Sequence, residues 1–79
     1  MGIAYYADTQ RIIEALASEG LLTEAQALTN VMGAGSTATE ILMGIRWQLQ
    51  QIEAANRTAN TETKKRIRDL IMALSHELS

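Results

Sequence analysis

Proton chemistry in this chain would have to come from one histidine, His76, or from nine carboxylates spread singly along it. At helical spacing His76 stands opposite Ile67, Leu70, Ile71, Leu74 and Leu78, which marks it as a solvated surface side chain rather than a general base. Cysteine is absent, so thiolate nucleophiles, disulfides and thiolate metal sites are excluded. One histidine makes no zinc site of the usual kind, and the carboxylates lack the inward Glu and Glu-x-x-His pattern of a di-metal bundle. Ser36 has no base beside it in sequence to activate it as a nucleophile. The expectation is a protein that is not an enzyme and holds neither cofactor nor metal.

Gly33-Ala34-Gly35-Ser36-Thr37 resembles a phosphate-cradling turn ahead of a helix. The P-loop lysine and the preceding strand are both missing, and Glu40 would repel an anion from this helix start. The glycines read as helix punctuation, with Thr37 and Glu40 as a cap.

The elements that must carry these residues are helices. Seventy-nine residues make one domain, 1–79, and a chain with no proline has only its five glycines to interrupt long helices. A first helix is expected over residues 5–19. Tyr5, Thr9, Ile12, Ile13 and Leu16 share one face of it, Gly20 is a left-handed C-terminal cap, and Leu21 contacts back. A second helix opens at Thr23 with Gln26 completing a capping box, continues the stripe of Leu22, Ala25, Leu28 and Met32, and stops at Gly33-Ala34-Gly35. A third starts at Ser36 or Thr37, where Thr37 and Glu40 form a second box. It presents Ile41, Leu42, Ile45, Leu49 and Ile52 on one face and ends near Asn56. After a break at residues 57–60, Asn60 or Thr61 caps a fourth helix whose stripe is Ile67, Leu70, Ile71, Leu74 and Leu78. Short connections make neighbours antiparallel, so the fold class is all-α, a small antiparallel bundle of three to four helices.

The third helix has a second patterned face: Glu40, Met43, Trp47, Gln50 and Ala54, opposite the first. Two readings follow. Either the helix is central and Trp47 is core, or Met43 and Trp47 form a partner-binding patch, since Trp concentrates at hot spots and Met adapts to partner surfaces. On the second reading Glu19, Glu24 and Glu40 rim the patch and steer a basic partner, and Gln50 completes it. Self-association through the same two residues is a third arrangement.

Charge favours a basic partner. Residues 1–53 hold two basic side chains against six acidic ones, and residues 54–79 hold five basic against three acidic. A helix-turn-helix built from the second and third helices would face bases with Ser36, Thr37, Thr39 and Glu40, without a Lys or Arg to bind phosphate. A nucleic-acid regulator working through the basic fourth helix stays as the alternative. No apolar run nears the roughly 20 residues that span a bilayer. No basic segment followed by an apolar core opens the chain, and Tyr6 stands where a myristoylation motif has Ser or Thr. A cytoplasmic protein is expected.

The run from Gly35 through Glu40, Met43 and Trp47 to Leu49, followed by Glu62-Thr63-Lys64 and the helix from Ile67 to Leu78, resembles small bacterial immunity proteins encoded beside polymorphic toxins. These are the immunity proteins of contact-dependent growth inhibition and Rhs systems. The resemblance covers roughly residues 10–78, and its motif is a capped helix rather than a catalytic signature. It implies a cytosolic protein that binds a matching toxin domain and blocks it. Many such toxins are nucleases, often ribonucleases with basic clefts, and an EndoU-like RNase would suit an acidic bundle.

Overall fold

A computed structural model describes residues 5–34 and 37–79. Four helices account for most of them: α1 (Tyr5–Ser18), α2 (Leu22–Ala34), α3 (Ala38–Ala55) and α4 (Thr61–Leu78). No strand occurs among the described residues. An 18-residue helix is about 27 Å long, close to the 30 Å long axis of the molecule, so the helices run along it. Each helix packs against two others in the ring α1–α2–α3–α4–α1.

The ends of the helices show their directions. At one end of the ring Glu19, just past α1, meets Thr63 in the first turn of α4. At the other, the Tyr5 hydroxyl donates to Glu77 Oε1 at 3.3 Å. Glu24, in the first turn of α2, meets Arg57, just past α3. Neighbours are therefore antiparallel around the whole ring, and the bundle has four helices.

Most of the sequence punctuation operates as expected. The Leu21 N–H donates to Leu16 O at 2.9 Å and the Gly20 N–H to Ala17 O at 3.0 Å. With Gly20 at φ +81°, this is a complete Schellman turn. Thr37 accepts from the Glu40 N–H at 3.2 Å while Glu40 Oε1 accepts from the Thr37 N–H at 3.2 Å, the expected box at the start of α3. Asn56 ends α3 in the left-handed region at φ 53°, and Asn60 caps α4 by accepting from the N–H groups of Glu62 and Thr63.

The expected box at Thr23 does not form. Helix α2 begins at Leu22, where the Leu21 carbonyl already accepts from the Ala25 N–H at 3.1 Å. Because the Schellman turn consumes Gly20 and Leu21, the next helix starts at once and Thr23 falls inside its first turn. Gln26 instead donates along α2 to Asn30 Oδ1 at 2.9 Å. Helix α2 also runs through Gly33 to Ala34, since one glycine costs a helix only about 1 kcal/mol. The part of the expected punctuation that falls on Gly35 and Ser36 lies outside the described residues.

The core holds Ile12, Ile13 and Leu16 of α1, Ala25 and Leu28 of α2, Ile45, Leu49 and Ile52 of α3, and Ile67, Leu70 and Leu74 of α4. Thr9 is buried in the same layer, its hydroxyl satisfied by Tyr5 O at 2.7 Å. The α2–α3 seam is close at Gly44. A Cβ there would stand 2.7 Å from Val31 Cγ1, and a helical valine has essentially one χ1 rotamer with which to yield. Gly44→Ala gains about 1 kcal/mol in helix propensity and loses about 1–3 kcal/mol to overpacking. We expect chemical denaturation to show net destabilisation in the natural background, and the same substitution to become stabilising over Val31→Ala alone.

Candidate protein-binding face on helix three

In a ring of four helices each member buries one inward stripe and leaves the opposite face to solvent. On α3 the inward stripe is Ile45, Leu49 and Ile52, with Gly44 turned toward α2 and Glu53 toward α4. The outward face is Glu40, Met43, Trp47, Gln50 and Ala54, all exposed. Met43 is 50% exposed and Trp47 57% exposed, which excludes the reading of Trp47 as core. Ile41 and Leu42 pack at the edge of the core instead. The core is complete without Met43 and Trp47, which lie one helical turn apart and share one surface.

The other two expected rim residues do different work. Glu19 follows α1 and accepts hydrogen bonds from the hydroxyls of Thr58 and Thr63, the latter at 2.8 Å. Thr58 and Thr63 are 4% and 3% exposed. Desolvation pushes the Glu19 pKa up. The hydrogen bonds from Thr58, Thr63 and the N–H groups of Asn60 and Ala59 together outweigh it and leave the carboxyl below its ordinary range. Glu24, its side chain 12% exposed, accepts from Arg57 Nη1 at 2.6 Å through Oε2, while Oε1 is buried without a hydrogen-bond partner. Both carboxylates thus fasten the α1–α2 turn to the segment that joins α3 to α4.

Charge asymmetry along the sequence is partly cancelled in space. Glu24 of the acidic portion pairs with Arg57 of the basic portion, and Glu53 with Arg68 at 3.4 Å. Within α4, Lys65 pairs with Asp69 at 3.0 Å and Arg66 with Glu62 at 3.5 Å. Glu40 keeps its place beside Met43 while serving the α3 cap.

Other surface features gather less. A groove of about 320 Å³ between α1 and α4 is lined by Asp8, Ile12, Arg66, Asp69, Leu70 and Ala73. Its charged side chains are tied to neighbours on their own helices, Asp8 to Arg11 at 3.8 Å among them. His76 is exposed on α4. Among the described residues no three His, Cys, Asp or Glu side chains converge as a metal site would require. Among the same residues no helix is long and apolar enough to cross a membrane.

Sequence reasoning singled out this second face of α3 without deciding between core and surface, and it missed the Glu19–Thr58–Thr63 cluster. The available signal was Thr63, which falls on the helical stripe of Ile67, Leu70 and Leu74 and so had to be buried with a partner. Together the fold and this face define a small helical bundle with an aromatic–thioether stripe on one helix. No family model, no curated protein and no solved structure matches the chain.

Removing the Glu19 carboxylate orphans two buried hydroxyls. We expect Glu19→Ala to cost about 2 kcal/mol in urea denaturation at pH 7. A carboxyl whose folded pKa is lowered stabilises the fold above its unfolded pKa, about 4.3 for Glu, and that contribution fades as pH falls through the folded value. The stability gap between the natural protein and Glu19→Gln should therefore narrow below about pH 4.

Proposed function

We propose that this chain is a non-catalytic protein-binding module that works through the outward face of α3, with Met43 and Trp47 at its centre and Glu40 and Gln50 beside them. The observation that carries this reading is Trp47, the chain's one tryptophan, held 57% exposed on a helix whose core stripe is already complete. An exposed indole beside an exposed thioether is the composition of a binding hot spot. In the more specific form, the partner is a bacterial toxin domain, a nuclease with a basic cleft. The chain neutralises it in the cytoplasm by covering its active-site region, as the resemblance to immunity proteins implies. Glu19 and Glu24 belong to the fold, so contacts with the partner rest on the α3 face and its one acidic residue, Glu40.

Nothing in the geometry favours the nucleic-acid alternative. The first turn of α3, which would enter the groove in a helix-turn-helix, presents Thr39 and Glu40 and no Lys or Arg. Arg66, Arg68 and Lys65 of α4 each pair with a carboxylate.

Co-expression with the toxin domain encoded immediately upstream tests the reading. Growth should be restored by the natural protein and not by Trp47→Ala. Trp47→Ala should keep its helical circular dichroism and melting temperature, yet bind the toxin domain about 30-fold more weakly, the equivalent of roughly 2 kcal/mol. A neighbourhood with no toxin gene, or full protection by a folded Trp47→Ala, overturns it.

A further inference from the structure

We propose that Met43 is a peroxide-sensitive modification site, and that its oxidation to the sulfoxide switches off the α3 face. The switching step rests on the function proposed above; the oxidation does not. Three methionines lie among the described residues. Met32 is partly buried and packs against the core, while Met43 and Met72 are 50% and 65% exposed. Sulfoxidation follows access of the oxidant to sulfur, so Met43 and Met72 react ahead of Met32. Met72 lies on the outer surface of α4 and Met43 lies one turn from Trp47, so only Met43 couples oxidation to the indole.

The reaction needs no further component than hydrogen peroxide. The thioether sulfur attacks one peroxide oxygen, the O–O bond breaks, and that oxygen stays on sulfur as S=O. Sulfur loses two electrons, and the other oxygen leaves as water with both protons. The product replaces a flexible apolar tip with a polar, chiral group. Beside the Trp47 indole this removes part of the desolvation gain that a partner would collect. Neither fold nor core is touched, because Met43 is outside the core cluster.

Peroxide titration of the natural protein, Met43→Leu and Met72→Leu, with peptide mass mapping, tests this directly. Met43 and Met72 should each gain one oxygen before Met32 does. Trp47 emission should shift, and retention on a phenyl hydrophobic-interaction column should fall, in the natural protein and in Met72→Leu. In Met43→Leu the emission should stay unchanged on peroxide treatment, with helical circular dichroism preserved in all three. Met43 staying reduced while Met72 oxidises overturns the proposal, as does sulfoxide at Met43 with no change in emission or retention. If Met43 behaves as described while folded Trp47→Ala still protects against toxin, the chemistry stands and the proposed binding face fails.

Discussion

The seam between α1 and α4 is the one side of this ring that no connecting loop holds. Three seams close themselves, because the helices on either side are consecutive in the chain with only a few residues between them. The fourth must be closed by side chains between residues far apart in sequence. The core supplies Ile12, Ile13 and Leu16 of α1 and Ile67, Leu70 and Leu74 of α4, which attract without fixing register. Register comes from directional bonds at the two ends. Tyr5 reaches Glu77 at one end, and Glu19 gathers Thr58, Thr63 and two backbone N–H groups at the other. The Tyr5 bond is exposed and long, whereas the Glu19 cluster shields two hydroxyls from water, so closure depends chiefly on Glu19.

This closure also sets what α3 presents. Were the ring open, or the bundle three-helical, α3 could be wrapped on both sides and Trp47 would be core. With α4 docked on both α1 and α3, α3 has its quota of neighbours and its far side is surface. The choice between the two readings of Trp47 thus depended on how many helices share the core and in what order. That is a tertiary property which no periodicity within α3 contains.

The same distinction explains what was legible in the residues and what was not. Signals that act within five or six residues could be read directly. Thr37 with Glu40, Gly20 with Leu21, Asn56 and Asn60 occupy the roles that local hydrogen-bonding chemistry assigns them. Thr23 failed because two local signals overlapped, and the Schellman turn left no residue free to be its helix's cap. The apolar stripes were legible because helical period alone specifies them. Glu19 and Glu24 were not. A carboxylate in a short turn looks the same in sequence whether its partner is solvent, another protein, or a threonine some forty residues away.

That outcome changes the physics of the proposed binding face rather than removing it. With Glu24 paired to Arg57 and Glu53 drawn to Arg68, the amino-terminal acidity is partly offset before it reaches Trp47. Long-range steering therefore contributes less than the sequence charge implies, and salt should weaken association only modestly. The weight falls on short-range burial of Met43 and Trp47, whose release of water is insensitive to charge order along the chain. Binding of that kind is governed by how long a complex lasts rather than how fast it forms. Under the toxin-neutralising role proposed above, slow dissociation is the property that would matter. A rigid helix held on both flanks is well suited to it, because little backbone freedom is left for a partner to freeze.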